Sequence, residues 1–150
     1  MGRIQKLNPA KGLIEKETLL DAAAINGFVF DADFLWTVSS TGVKRLSQKD
    51  GTRIQQFGFE RQVQMPVGLA LVGGSLYVAD RKANKIHEIN PDNGKIVGEI
   101  PAPSADITGL AAFGGYVLVA DGNDKAVYLV TEDGYVILRV ELDAAPLGIA

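Results

Sequence analysis

The sequence predicts an all-β fold of propeller type, built from four-stranded antiparallel sheets that recur about every 41 residues. Three observations carry this. Gly68-Leu69-Ala70 returns as Gly109-Leu110-Ala111 and again as Gly148-Ile149-Ala150. Each full copy then runs through a double glycine, an apolar strand and an Ala-Asp pair: Gly73-Gly74-Ser75-Leu76-Tyr77-Val78-Ala79-Asp80, then Gly114-Gly115-Tyr116-Val117-Leu118-Val119-Ala120-Asp121. The rest of each copy holds short apolar runs bounded by Gly, Asn, Asp and Pro, which read as strands and turns. A fixed period of this size filled with short strands is the signature of stacked propeller blades.

In chain order, residues 1–26 match the second half of a unit. Ile4 falls on Ile86, Asn8-Pro9 on Asn90-Pro91, Gly12 on Gly94, Ile14 on Ile96 and Glu17 on Glu99. Read alone, 13–25 (LIEKETLLDAAAI) favours helix, because it is rich in helix formers. The match to 95–107 argues instead for a strand at 13–18, with a helical turn near Leu20–Ala24. Full units follow at 27–67, 68–108 and 109–147, and 148–150 opens another. The 68–108 unit predicts strands a to d, from the axis outward, at 67–72, 75–80, 85–90 and 95–100. Strand b is apolar at consecutive positions, as expected when both faces of a sheet are covered. The outer run Lys85-Ile86-His87-Glu88-Ile89 alternates like a half-exposed strand, which would leave His87 solvated at an edge. The c–d turn Asn90-Pro91-Asp92-Asn93-Gly94 has Pro to preset φ and Gly to accept a positive one. Gly51 and Gly134 stand at the matching points.

Composition bounds the function. The 150 residues are 47% hydrophobic, contain 17 glycines and no cysteine, and carry a net charge of −3 with mixed signs. Disulfides and thiolate metal sites are excluded, and no basic face is present to bind nucleic acid. No apolar run approaches the roughly 20 residues that span a bilayer as helix. No signal peptide is visible after Met1-Gly2-Arg3, and the compartment stays open. Propellers close with four to eight blades, so a stack of this size exposes two apolar ends. It calls for self-association, as a homodimer or completed ring, or for the remainder of a longer propeller. A composite blade made from strand a of one copy and strands c and d of another would lack strand b.

The phrase Gly-Leu-Ala followed by Leu-Tyr-Val-Ala-Asp and Asn84-Lys85-Ile86 resembles the NHL-repeat and YVTN-type propellers. It is also similar to the six-bladed gluconolactonase and streptogramin-lyase superfamily. The resemblance covers nearly the whole chain, and its motifs specify blades. It implies protein or ligand platforms, with some members acting as lactonases, lyases or cyclotransferases at the channel mouth. The 27–67 unit departs from it, with Val38-Ser39-Ser40 in place of Val-Ala-Asp. In the 109–147 unit, Asp124 is aligned with Asn84.

Candidate site residues lie on the face shared by the b–c loops and d–a linkers, where the repeats differ most. Arg61, Arg81 and Lys82 form a basic sector, and Asp106, Asp121 and Asp124 an acidic one. Asn84 and Asn123 complete the ligand- or partner-binding candidates. Asp80 and Asp121 recur at the end of strand b. This favours capping of their own turns over metal binding, and they are the weak candidates for a Ca2+ site. Trp36 and Tyr77 align on strand b as packing residues. The sequence therefore predicts a non-catalytic binding or protein-interaction scaffold for a protein or small polar ligand, without nucleic acid, membrane or cofactor. The alternatives are a lactonase- or lyase-type enzyme with a divalent cation at the channel mouth, and an excised or engineered propeller fragment without activity of its own.

Overall fold

The computed structural model describes residues 2–20 and 24–149. The strands are β1 (Gly2–Leu7), β2 (Ile14–Leu20), β3 (Gly27–Asp31), β4 (Phe34–Ser39), β5 (Gly42–Ser47), β6 (Arg53–Gly58), β7 (Pro66–Val72), β8 (Ser75–Asp80), β9 (Lys85–Ile89), β10 (Ile96–Pro101), β11 (Ile107–Phe113), β12 (Tyr116–Asp121), β13 (Ala126–Val130) and β14 (Val136–Glu141). They form an antiparallel hairpin, β1-β2, and three four-stranded antiparallel sheets, β3–β6, β7–β10 and β11–β14, each in sequence order. The all-β propeller-blade architecture is as the repeat predicts. Residues 14–20 are strand, so the local helix preference of 13–25 yields to pairing with β1. Residues 21–23, where the helical turn was expected, lie outside the described residues.

The first and second sheets each pack one face on the sheet before and the other on the sheet after, and the third packs one face on the second. We call these the trailing and leading faces. The leading face of the second sheet (Ala70, Val72, Tyr77, Ala79, Ile86, Ile100) meets the trailing face of the third (Leu110, Val117, Val119, Ala126, Tyr128, Val130). Trp36, Val38 and Val43 of the first sheet meet Leu69, Leu76, Val78 and Ile89 of the second. Ile4 of the hairpin covers Leu35 and Leu46. Tyr77 and Trp36 are each about 1% exposed, which makes them packing residues between sheets. Burial, reinforced by the carboxylates of Glu88 and Glu132, pushes the Tyr77 hydroxyl up to about 12, so it stays protonated at neutral pH.

The inner strands β3, β7 and β11 pack side by side, and the repeated glycine explains how. A Cβ on Gly27 would stand 3.0 Å from the Leu69 amide nitrogen. One on Gly68 would stand 2.5 Å from Leu110 N, and one on Gly109 2.8 Å from Ile149 N. Backbone packs on backbone at the axis, and a side chain there would wedge the sheets apart. Register shifts fall beside Gly68 and Gly109, so a bulge sets each glycine against its neighbour. The a–b turns use the double glycines, with φ of +58° and +87° at Gly73-Gly74 and +56° and +84° at Gly114-Gly115. These suit a two-residue hairpin that needs positive φ at both central positions.

Gly68→Ala should destabilise the fold by about 1–3 kcal/mol through overpacking against backbone. Gly58→Ala, whose Cβ would meet nothing nearer than 3.9 Å, should change stability by less than about 0.5 kcal/mol. Urea midpoints of the two variants test the comparison.

Candidate functional site

The b–c turns and d–a linkers share one end of the stack, and buried aspartates bind them together. Asp80 ends β8 fully buried. Its carboxylate accepts N–H bonds from Gln64 (2.7 Å) and Met65 (3.1 Å) of the preceding linker, and from Lys82 (3.1 Å) and Ala83 (3.2 Å) of its own turn. Asp121 repeats the device with Asp106 N (2.8 Å) and Asp124 N (2.9 Å). Burial alone would raise both carboxyls, but the backbone donors outweigh it and hold each below the ordinary Asp value. Their oxygens are thus committed to backbone. Among the described residues, no group of three or more His, Asp or Glu side chains is placed to hold a metal ion. In the first sheet Ser39, and not Ser40 as the comparison with Val-Ala-Asp places it, stands where these aspartates do. It caps only its own turn, through Thr41 and Gly42.

The polar candidates distribute unevenly over this end. Arg81 forms an ion pair with Asp106 across the second and third sheets, so the basic and acidic sectors are joined at their boundary. Asp124 accepts the Tyr128 hydroxyl, whose ring also bonds Arg139 through its oxygen at 3.2 Å. Asn84 occupies a left-handed conformation, φ +54°, and its carbonyl accepts the Ala102 N–H. Its structural counterpart is Lys125, φ +49°, whose carbonyl accepts Leu142 N–H. Asp124 is therefore not the equivalent of Asn84: its N–H bonds Asp121, so it matches Ala83. The exposed Arg61, Lys82 and Asn123 side chains show no hydrogen bond or ion pair among the described residues.

Beside the first b–c turn, a depression of about 330 Å3 is lined by Ser40, Thr41, Glu60, Arg61 and Gln64 over Phe59 and Val63. Glu60 and Arg61 both have left-handed φ, +48° and +71°, which is costly for residues with a Cβ. Nothing in Phe57-Gly58-Phe59-Glu60-Arg61 signals that turn, so Glu60 was not legible as a site residue.

His87 departs from its expected exposure. It is 3% exposed, on the face that carries Val78 and Ile89, in the cluster completed by Phe59 and Val63 of the linker. The alternation of β9 gave one face to the second-third interface. The other is covered because the first sheet, with Phe59 and Val63 of the d–a linker, packs on it. Nε2 lies 3.7 Å from Asp80 Oδ2 and Nδ1 3.4 Å from Glu99 Oε1, neither in hydrogen-bonding geometry.

No protein-family model matches the sequence, and no curated protein does. Solved structures do match. The virginiamycin B lyase of Staphylococcus aureus is similar over 99% of this chain and 52% of its own, at 21% identity and a TM-score of 0.66. The glutaminyl cyclase of Myxococcus xanthus aligns over 89% and 59%, at 16% identity and a TM-score of 0.73. BamB of Moraxella catarrhalis aligns over 99% and 47%, at 16% and 0.63. The chain is a partial β-propeller, spanning about half the length of these proteins, with a fold shared by enzymes and binding scaffolds alike. Among its described residues, no helix is long and apolar enough to cross a membrane.

The aspartate staples give a signed pH dependence. Their folded values lie below the ordinary Asp value of about 3.9. The stability they contribute is therefore full above that pH, and is lost as pH falls through the folded values. Asp80→Asn should cost about 1–3 kcal/mol at pH 7, since an amide NH2 replaces one carboxylate oxygen and the buried N–H facing it loses its acceptor. It should also flatten the loss of stability as pH falls below about 4. Urea titrations at stepped pH check both.

Proposed function

We propose that the chain is a non-catalytic binding and protein-interaction scaffold, akin to NHL- and YVTN-type propellers, whose stapled loop end receives an acidic peptide segment. The observation that supports this is the division of labour at that end. The strand-b aspartate shared by the second and third units is consumed in holding loops to one another. The varied positions, Arg61, Lys82 and Asn123, are exposed, and their side chains have no hydrogen bond or ion pair among the described residues. A rigid base under variable polar tips is how repeat folds present a recognition surface. Arg61 stands beside the hydroxyls of Ser40 and Thr41 in the first-sheet depression. Guanidinium and hydroxyl donors together suit a carboxylate. Arg81 contributes less, because Asp106 already neutralises it.

The test is a fluorescence titration with a labelled Glu/Asp-rich peptide at low ionic strength. Arg61→Ala with Lys82→Ala should weaken binding at least tenfold. The thermal transition should hold within about 2 °C, because both are exposed surface positions. No binding by the parent chain, or equal binding by the variant, overturns the reading. A thermal transition raised by Ca2+ would favour the metal-dependent enzyme instead. With the Asp80 and Asp121 oxygens given to backbone N–H groups, we expect none.

A further inference from the structure

We propose that His87 is a proton-operated switch beneath the linker 59–65. On taking up a second ring proton it closes on the Asp80 and Glu99 carboxylates, and so fixes the wall of the depression beside Arg61.

His87 holds a place that recurs in the next unit. It pairs with Val78 and Glu99 across its sheet, as Tyr128 pairs with Val119 and Arg139. Both side chains are buried on a trailing face. The Tyr128 hydroxyl donates to Asp124 and accepts from Arg139 Nε at 3.2 Å, so it is satisfied in both senses. His87 is not. Among the described residues, neither of its ring nitrogens has a hydrogen-bond partner. Native interiors leave few such atoms, and here two stand on one ring.

The groups around the ring identify the state that would use them. A neutral imidazole has one N–H and one lone pair, whereas an imidazolium has two N–H groups. Nε2 faces Asp80 Oδ2 at 3.7 Å and Nδ1 faces Glu99 Oε1 at 3.4 Å. Ionised carboxylates only accept. Backbone donors hold the Asp80 carboxyl below its ordinary value against the effect of burial. The Lys85 ammonium, 2.7 Å from Glu99 Oε2, lowers that of Glu99. In either neutral tautomer, one ring nitrogen therefore turns its lone pair toward an oxygen that cannot donate. With a second proton both nitrogens donate, and the two contacts can shorten to charge-assisted bonds of about 2.7–2.9 Å.

The other charges nearby are turned elsewhere. The first sheet presents Trp36, Val38, Val43 and Phe57 to this interface, and its Arg45 is stacked on Phe34 at 3.8 Å. The linker adds Phe59 and Val63 to the buried cluster, while Glu60 and Arg61 are exposed in the depression. On β9 itself, Glu88 accepts the Ser75 hydroxyl on the opposite face. In the turn after Asp80, Arg81 pairs with Asp106 and Lys82 is exposed.

Asp80 carries the change to the loop end. The oxygen that faces His87, Oδ2, is the one that accepts the Gln64 N–H at 2.7 Å, and Oδ1 accepts Met65 N–H at 3.1 Å. Gln64 lines the depression. The linker 59–65 is longer than its counterpart 102–106, and the b–c turn beside it, 40–41, is shorter than 81–84. The depression lies at that exchange, and its wall is tied down through Asp80. A carboxylate oxygen has room for a second donor, so the imidazolium adds to the Gln64 bond and does not displace it. Glu99, His87, Asp80 and Gln64 then form one continuous chain from β10 to the wall, with a positive charge beneath it. A tighter hold on acidic peptides would follow; that consequence rests on the function proposed above, and the change in the linker does not.

His87 is the single histidine of the chain, so its ring gives one set of signals. Nitrogen-15 spectra of the unliganded chain should be recorded from about pH 8 to about pH 5, where histidine changes charge. Both ring nitrogens should become protonated, and the Gln64 and Met65 amides should move with the same midpoint. His87→Gln should hold those two amides still. Glu99→Gln, at a half-exposed side chain, should move both midpoints to lower pH, because one of the two facing carboxylates loses its charge. A ring that keeps one nitrogen unprotonated throughout overturns the switch. So do linker amides that stay still while the ring titrates, or that move equally in His87→Gln, or midpoints unmoved by Glu99→Gln. The labelled Glu/Asp-rich peptide should bind about two- to fivefold more tightly at about pH 5.5 than at about pH 7.5, the scale of a solvent-screened ion pair, and equally at both to His87→Gln. Binding without that difference overturns the regulation. A peptide that binds at neither pH overturns the function proposed above, and the amide shifts then decide the switch alone.

Discussion

The close approach of bare backbone at the axis is the constraint on which the rest of this structure depends. Gly27, Gly68 and Gly109 each lie where a Cβ would meet the main chain of the following strand at 2.5–3.0 Å. Inner strands can then converge while outer strands fan apart, and that wedge is the blade. Leading and trailing faces meet squarely only at this spacing, so burial of Tyr77, Trp36 and Val78 follows from the glycines as much as from their own apolarity. The hydrophobic effect is non-directional. The glycine at the axis is what gives it a direction here.

A second constraint acts at the loop end. Linkers that cross from strand d to the next strand a carry backbone donors that must be satisfied where they become buried. Asp80 and Asp121 supply acceptors from strand b of the following unit, and so tie each linker to the turn beside it. Four charge-assisted bonds at one carboxylate offset its burial. The loops therefore sit on a fixed base, and their outward side chains can vary without disturbing the sheets. The first unit lacks this aspartate, and the loop end opens there into the depression beside Glu60 and Arg61.

How much of this was legible in the sequence follows from what each signal encodes. The repeat encoded the sheets, because every blade must satisfy the same packing with the same residues. Strand b of the second sheet was readable to the residue, Ser75–Asp80, since both of its faces are covered. At 13–25 local propensity favoured helix, and only the match to another unit carried the strand reading; tertiary pairing overrides propensity. His87 was misread because alternation in β9 was taken to mean one solvated face, whereas the first sheet and its linker pack on the face that carries it. The Asn84 alignment slipped by one residue because side-chain identity was followed there. The shared feature is a left-handed backbone, held by Asn84 in one unit and Lys125 in the other. Of the candidate site, the loop positions could be found, since they are where repeats differ. Their pairing could not: that Arg81 is neutralised by Asp106 while Arg61 is free depends on reach between sheets.

The same reasoning separates residues that build the fold from residues that could act. An aspartate that recurs at one place in successive repeats looks like a catalytic or metal-binding pair, and on a propeller mouth the suggestion is strong. Recurrence, however, is first what a structural role requires: each blade has a linker to hold, so each needs an acceptor. Function has to be sought where one unit departs from its neighbours. Here that is the first loop pair, where Ser39 replaces the aspartate and two residues with side chains accept left-handed backbone. The departures mark the side chains the frame does not use, and the repeats identify the frame that holds them in place.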